Sequence, residues 1–200
     1  MISDGHTRDG VIRALVALVA ERGMDAVSVR QVADAAGVSA GFVQHHFRTK
    51  QAMLAAAMDA VTGQVESRVR AVADQEPADA LREIARQLVP LDDERAVEGR
   101  ISLAFVAHAI TDPELSANYQ RTWRRLEELL TGLIAAVRGR ARGSADDRAA
   151  AALLLATIDG LAIGGVAEPG RLDRRRIAAL LARQLDAVTR DGRPGGSAAR

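Results

Sequence analysis

The 27 lysine and arginine residues of this 200-residue chain nearly balance its 26 aspartate and glutamate residues, so the net charge of +1 neither indicates nor excludes a nucleic-acid partner. Apolar residues make up 48% of the sequence and aromatic residues 2%, which favours a core of alanine, leucine, valine and isoleucine in an all-α fold. No cysteine is present, which excludes a disulfide framework and a zinc finger.

The compartment is predicted from two further features. Residues 1–10 show no basic segment followed by an apolar one, so no leader peptide is expected. The longest apolar run, Ala149–Ile158, has about half the ~20 residues that a membrane-spanning helix needs, and Asp159 ends it. These features predict a cytoplasmic protein of one or two domains without a membrane partner.

The N-terminal part is predicted to begin with a packing helix and to continue with two short helices. After a loosely ordered arm at residues 1–6, apolar residues at helical spacing predict a helix over 8–22, capped by Thr7. Ser28 and Gln31 then have the spacing of a capping box, and Gly37 lies where a helix ends in a residue that tolerates a positive φ.

Ser39 is the predicted N-cap of a second short helix, which runs to about His46. Two short helices joined by a tight turn form a helix-turn-helix. In that motif the N-terminal residues of the second helix contact base edges in the major groove, while the first helix lies across the backbone.

Four segments carry a resemblance that extends this prediction: Asp25–Ala33, Ala36–Gly41, His45–Phe47 and Lys50. They resemble the DNA-binding signature of the TetR family of transcriptional regulators. Phe42 and Gln44 depart from it, since the family usually has a small polar residue and an aromatic phosphate-contacting residue there. With the helix-turn-helix reading, the resemblance implies DNA contacts from Ser28, Arg30, Ser39, Ala40, Gly41, Phe42, Gln44, His45, His46 and Lys50.

The rest of the chain is predicted to be helical as well. Thr49 caps a long connector helix that runs to about residue 73, and Pro77 breaks its pattern. Further helices are predicted over 78–89, 93–110, 113–138, 144–166 and 173–190, followed by a disordered tail over 191–200.

The C-terminal part also carries a resemblance, in the segments Pro90–Arg95, Leu103–Phe105, Thr111–Leu115 and Ile158–Ala162. They are similar to the ligand-binding domain of the betaine-regulator-like subgroup of the same family. The resulting division is a DNA-binding domain over 7–50, a ligand-binding and dimerisation domain over 51–190 and the tail over 191–200.

A small-molecule pocket is predicted among the middle helices, because the few aromatic side chains cluster there next to the later turns of the connector helix. The alternative is that these side chains are ordinary core. Since His108 is the only charged candidate, the expected effector is apolar or weakly polar. The predicted lining residues are Met58, Val61, Val65, Phe105, His108, Tyr119 and Trp123.

A homodimer interface is predicted on the last two helices, which are too apolar to be covered only by their own chain. Gly160 and Gly164 lie one turn apart and permit close helix approach, and the family dimerises through the corresponding pair of helices. The alternative is intramolecular core. The predicted interface residues are Leu153, Ala156, Gly160, Leu161, Gly164, Ile177, Leu181 and Leu185.

Two further sequence patterns bear on a catalytic site and on a metal site. Gly37–Gly41 fits the G-x-S-x-G pattern of a serine esterase, but that motif needs a strand before the turn, whereas Val29–Ala36 has helical spacing. His45 and His46 diverge by about 100° on a helix and cannot jointly bind one metal ion. No metal, cofactor or catalytic residue is predicted.

The predicted function is that of a ligand-responsive transcriptional regulator, a repressor, which binds a palindromic operator in double-stranded DNA as a homodimer. Two alternatives remain open at this stage. One is a helix-turn-helix protein without an effector response, and the other is a serine esterase that uses Ser39.

Overall fold

The computed structural model describes residues 8–23, 27–72 and 75–190, and these form helices without any strand. The predicted all-α fold class is therefore confirmed. The predicted arm, the cap at Thr7 and the tail over 191–200 lie outside the described residues. The helices are α1 (Arg8–Arg22), α2 (Val29–Ala36), α3 (Ala40–His46), α4 (Lys50–Val72), α5 (Pro77–Gln87), α6 (Asp93–Ala109), α7 (Pro113–Val137), α8 (Ala145–Ala167) and α9 (Arg174–Arg190).

Most helix ends coincide with the local signals in the sequence. Ser144 and Asp147 form a capping box at the start of α8, where the sequence predicts a helix from residue 144. One helix differs, because α5 begins at Pro77 and ends at Gln87, whereas the prediction placed it over 78–89. Proline is favoured in the first turn of a helix, where its missing N–H has no intrahelical partner. Pro77 therefore starts α5.

The first compact unit comprises Met1–Glu66 and Val97–Ala117. Its core is formed by apolar side chains from α1 to α4, to which α6 adds Ile101. The buried residues at its centre are Val11, Leu15, Val32, Val43, Phe47, Met53, Ala57 and Ile101.

The second compact unit comprises Ser67–Ala96 and Asn118–Arg200. In its described part, α5, α7, α8 and α9 contribute to one apolar core, and α9 packs against both α5 and α8. The helices α4, α6 and α7 each contribute residues to both units. The predicted domain boundary after residue 50 stays a prediction. The buried residues at the centre of this unit are Leu81, Ile84, Leu130, Ile134, Leu154, Ile158, Ile177 and Leu181.

A buried charge cluster joins three helix ends in the second unit. Asp147 is fully buried and accepts hydrogen bonds from Nη1 of Arg138 at 2.9 Å and Nη1 of Arg140 at 2.7 Å. Arg138 also donates to the carbonyl oxygen of Val188, at 3.1 Å from Nε and 2.8 Å from Nη2. Burial acts to raise the pKa of Asp147, but bonds from Ser144, Arg140 and Arg138 outweigh it and hold the pKa far below its usual range. The cluster therefore stabilises the junction of α7, α8 and α9.

Among the described residues, only α8 has both the length and the apolar composition that a membrane-spanning helix needs. A core helix has the same composition. Seven residues of α8 are buried in the second unit, and one of them is the charged Asp147.

Candidate DNA-binding surface and ligand cleft

The helix-turn-helix is held by local hydrogen bonds at the start of each of its two helices. Ser28 accepts from the backbone N–H of Gln31 at 3.3 Å, and its own N–H donates to Oε1 of Gln31 at 2.9 Å, which completes the capping box. Gly37 ends α2 at φ 67°. Ser39 accepts from the N–H of Phe42 at 3.1 Å and thereby caps α3. The turn is fixed by residues that satisfy orphan backbone groups, as the sequence predicted.

The helix α3 is anchored on one side and open on the other. Val43 is fully buried in the core of the first unit, and Phe47 follows it with 3% exposure. The rest of the helix surface faces solvent, with Phe42 half-buried. A short helix held by one buried side chain leaves its remaining surface available to a partner. The exposed residues of this surface are Ser39, Ala40, Gly41, Gln44, His45 and His46.

Aromatic contacts order the end of this surface. The rings of Phe42 and His46 lie with their centroids 4.7 Å apart, and those of His45 and His46 are 5.3 Å apart. The guanidinium of Arg8 lies 5.6 Å from the centre of the Phe47 ring, a cation–π contact that the sequence does not predict. Its only signal was the basic residue at the start of the first helix.

Basic and hydroxyl side chains lie at the outer ends of α2 and α3 and at the start of α4. Ser28 and Arg30 are exposed at the start of α2, and Arg48 is exposed just after α3. Lys50 is the first residue of α4, which Thr49 caps through a 3.0 Å bond from the N–H of Ala52. These groups have the chemistry that positions a DNA backbone.

The geometry of the helix-turn-helix also bears on the serine esterase alternative. The turn around Ser39 joins two helices, whereas a nucleophile elbow joins a strand to a helix. The Ser39 hydroxyl accepts the capping bond described above. Within the part of the chain that the structure describes, no group of three or more histidine, aspartate or glutamate side chains could hold a metal ion.

A cleft of about 470 Å³ lies between α7 and α8 of the second unit. The rings of Tyr119 and Trp123 meet edge to face there, with centroids 5.6 Å apart. Burial raises the pKa of Asp159 to about 6, while burial and the charge of Asp159 raise the pKa of Tyr119 to about 12. The cleft thus combines two aromatic faces with a carboxylate. Its other lining residues are Gln120, Arg124, Glu127, Ala152, Leu155 and Ala156.

The remaining predicted pocket residues belong to the first unit. Val61 lies in a separate groove of about 500 Å³, which α1 and α6 also line. Phe105 is fully buried. Met58, Val65 and His108 are half-buried. Tyr119 and Trp123 are therefore the predicted pocket residues that line the α7–α8 cleft, while Asp159 and Glu127 are lining residues that the prediction missed.

An apolar face of α8 is exposed, which we call the α8 face. It consists of Ala149, Ala152, Leu153, Ala156, Gly160 and Ile163. Leu153 is 60% exposed and Ile163 is 48% exposed, so two large apolar side chains of this helix face solvent. A Cβ added to Gly160 would meet no atom within 4 Å.

The predicted interface residues divide between this face and the core. Leu153, Ala156 and Gly160 lie on the α8 face, but Leu161, Ile177, Leu181 and Leu185 are buried among helices of their own chain. Gly164 is also covered, since a Cβ there would lie 2.4 Å from the Leu172 side chain. These five residues are corrected to subunit core, because their own chain already covers them. The interface itself stays a prediction.

Comparisons with known proteins agree with this geometry. Residues 11–57 match the family model described as bacterial regulatory proteins of the tetR family, and residues 77–190 match that of the BetI-type transcriptional repressor C-terminal domain. The HTH-type transcriptional regulator PksA of Bacillus subtilis (strain 168) is 28% identical over 90% of this chain and 89% of its own. The HTH-type transcriptional regulator BetI of Stenotrophomonas maltophilia (strain R551-3) is 32% identical over 86% of this chain and 88% of its own.

Solved structures share the fold. A transcriptional regulator from Rhodococcus sp. Rha1 superposes with a TM-score of 0.83 at 33% identity, over 92% of this chain and 96% of that chain. A regulator from Saccharomonospora viridis in complex with choline superposes with a TM-score of 0.81 at 18% identity, over 90% of this chain and 95% of that one. The second likeness shows the fold alone.

Proposed function

This chain belongs to the TetR family of bacterial transcriptional regulators, and we propose that it is a repressor that binds an operator as a homodimer and is released by a small ligand. The observation that carries the DNA-binding part is the exposed surface of α3, held by capped helix ends and the buried Val43. The family and the relatives of this chain are transcriptional regulators, so the esterase alternative is discarded.

The homodimer part is supported by the α8 face. An exposed apolar surface that runs along several turns of one helix marks an interaction site. A second copy brings the same surface, and small side chains on both sides permit close approach of the helices. Because the chromosome is the partner, we place the regulator in the cytoplasm.

The effector part is supported by the α7–α8 cleft. Trp123 and Tyr119 offer aromatic faces to a positive charge, and the Asp159 carboxylate offers an ion-pair partner. Glu127 adds a second carboxylate to the lining, so two carboxylates face the single guanidinium of Arg124. We therefore replace the expected apolar or weakly polar effector by a small organic cation with apolar substituents.

The proposal is tested by fluorescence anisotropy on an operator selected from random double-stranded DNA. Choline serves as the first probe, because it combines a quaternary ammonium group with a size that a cleft of about 470 Å³ can hold. We expect choline to weaken operator binding, and the operator to weaken choline binding by the same factor. Selective operator binding that choline and other small ammonium ions leave unchanged would favour the alternative without an effector response.

A matched variant pair separates the aromatic contribution from the fold. Trp123→Leu removes the aromatic face while it keeps an apolar side chain, and should weaken choline binding without loss of operator binding. Trp123→Phe keeps an aromatic face and should retain most of the affinity for choline.

A further inference from the structure

The groove that Val61 lines lies between α1, α4 and α6, and we call it the α1–α4–α6 groove. Its volume of about 500 Å³ falls within the range of small-molecule sites. All of its lining residues belong to the first unit, whereas those of the α7–α8 cleft belong to the second unit. The groove is therefore a separate candidate site, and it lies in the unit that carries the DNA-binding surface.

The floor of the groove extends the apolar core of the first unit. Apart from Arg13, Glu21, Gln64 and Arg100, the lining consists of alanine, valine and isoleucine. Its half-buried members pack against the core and keep part of their apolar surface open to the groove. Removal of such surface from water is favourable, so the groove favours an apolar occupant. These half-buried residues are Val16, Ala20, Ala60 and Val97.

The groove has the length of an extended chain. Its wall on α1 consists of two neighbouring rows at intervals of four residues, Ile12–Val16–Ala20 and Arg13–Ala17–Glu21. From Ile12 to Glu21 the helix rises about 13 Å, at 1.5 Å per residue. An alkyl chain with C–C bonds of about 1.5 Å reaches this length with about ten carbons.

The charges of the lining favour an anion. Arg13 and Arg100 bring guanidinium groups from α1 and α6, and both side chains are exposed. Glu21 brings a carboxylate, but its Oε1 lies 3.5 Å from Nε of Arg22, which is outside the lining. Two guanidinium groups thus meet one carboxylate that already has a cation beside it. A guanidinium group matches the geometry of a carboxylate and can donate two hydrogen bonds to it.

We propose that the α1–α4–α6 groove is a second small-molecule site, which binds a carboxylic acid with an apolar chain of about ten carbons. The chain lies on the apolar floor, and the carboxylate pairs with the guanidinium groups of Arg13 and Arg100. This site is independent of the cation effector proposed for the α7–α8 cleft.

Occupation of the groove acts on the core that holds the recognition helix. That core contains Val43 of α3, and α1 packs against α2, which in turn packs against α3. A ligand that binds the folded unit and not the unfolded chain stabilises the folded unit by mass action. The acid should therefore raise the melting temperature of the protein.

A thiol placed in the groove locates the acid, because the sequence contains no cysteine. Ala17 is an exposed lining residue of α1, and Ala107 is an exposed residue of α6 outside the lining. Decanoate should slow the reaction of the Ala17→Cys thiol with iodoacetamide severalfold and leave that of Ala107→Cys unchanged. Decylamine, which carries the same chain and a positive charge, should protect neither thiol.

Calorimetric titration of decanoate measures the contribution of the two arginines. Arg13→Gln/Arg100→Gln should bind decanoate about tenfold more weakly than wild type. Arg82→Gln/Arg86→Gln is the matched control, since it removes two exposed charges from α5 in the second unit and should leave the affinity unchanged. Trp123→Leu, which alters the α7–α8 cleft, should also bind decanoate as wild type does.

Three results would overturn this inference. One is that decanoate binds without protecting the Ala17→Cys thiol, or protects Ala107→Cys equally. Another is that decylamine protects Ala17→Cys as well as decanoate does. The third is that Trp123→Leu loses decanoate binding while the variant at Arg13 and Arg100 keeps it, which would place the acid in the α7–α8 cleft.

The proposed function and this inference fail separately. Choline has no part in these measurements, so a protein that ignores choline can still bind decanoate in the groove. If Arg13→Gln/Arg100→Gln does not fold, the protection of Ala17→Cys by decanoate and not by decylamine decides the question alone.

Discussion

We propose that individual side chains on the DNA-binding surface divide into base-reading and backbone-positioning groups. Gln44 is exposed on α3, and its amide can pair with the N6 and N7 edge of adenine, while the half-buried Phe42 can contact a thymine methyl group. Lys50 begins α4 and carries a charge that suits a phosphate. Affinity and specificity are therefore expected to depend on different residues.

Gln44→Ala should relax the base preference at one operator position at a cost of about 1–3 kcal/mol for the preferred base. Lys50→Ala should weaken binding to all sequences and reduce the slope of log K against log salt by about one unit. Anisotropy titrations on the operator and on single-base variants at several salt concentrations measure both. The assignment is wrong if Lys50→Ala changes the preferred sequence and leaves the salt slope unaltered.

Asp147 is the side chain on which the junction of α7, α8 and α9 depends. Asp147→Asn leaves the Arg138 guanidinium buried without its carboxylate and should lower the free energy of unfolding by roughly 3–5 kcal/mol. Asp146→Asn, an exposed change next to it, should cost less than about 0.5 kcal/mol. Urea denaturation measures the difference.

The pKa of Asp147 sets a pH dependence for this contribution. Because the folded-state pKa is lowered, the stabilisation is fully present above the unfolded pKa of about 3.9 and decreases as the pH falls below it. The stability difference between wild type and Asp147→Asn should therefore shrink below pH 4. A difference that stays constant down to pH 2 would contradict the charge-based account.

The pH dependence that Asp159 gives to the stability has the opposite sign. Its folded-state pKa is raised to about 6, so its favourable contribution is present below the unfolded value of about 3.9 and is lost as the pH rises to about 6. Asp159→Asn should therefore raise the melting temperature at pH 7.5 more than at pH 4.5.

The carboxylate of Asp159, which lowers stability when it is charged, attracts a cation, so choline should bind wild type more weakly at pH 5 than at pH 7.5. The variant should show little of that pH dependence in calorimetric titrations.

At the scale of elements, we expect helix stability and DNA contact to conflict in α3. Gly41 lies in the exposed first turn, and a Cβ added there would meet only the Ser39 hydroxyl at 3.8 Å. Gly41→Ala should therefore stabilise the unit by about 0.5–1 kcal/mol through helix propensity. The same methyl group faces the proposed DNA surface and should reduce operator affinity.

Melting temperature and operator affinity of Gly41→Ala are measured on the same preparation, with Gly63→Ala as the control. Gly63 is an exposed glycine inside α4, and a Cβ there would meet no atom within 4 Å. The control should gain stability without any loss of operator binding. If both variants bound the operator with equal affinity, Gly41 would not belong to the DNA-binding surface.

At the scale of the whole molecule, the proposed two-fold dimer constrains the operator. Two copies of α3 related by a two-fold axis require two inverted half-sites on one face of the duplex, about 34–36 Å or a multiple of it apart. Insertion of half a helical turn between the half-sites should abolish high-affinity binding, and a full turn should restore part of it. Equal affinity at all half-site spacings, measured by anisotropy, would exclude a dimer that holds its two α3 helices at a fixed distance.

The sequence by itself determined the helices and the recognition motif. Capping boxes at Ser28 and Ser144, the positive-φ Gly37 and the N-cap Ser39 act through bonds within a few residues, so local composition was sufficient to place α2, α3 and the start of α8. Membership of the family was recognisable because this short motif carries its signature in four segments between Asp25 and Lys50.

Tertiary structure alone decided which apolar and charged side chains are covered. Leu161 and Leu153 are both leucines of α8, yet only Leu161 lies in the core, because α8 is apolar around its whole circumference and periodicity therefore gives no direction. Arg138 and Arg140, the partners of Asp147, lie in the segment that follows α7, and Asp159 lines one cleft with Tyr119, which is forty residues away in sequence. Contacts of that range depend on how helices pack, which no local signal encodes.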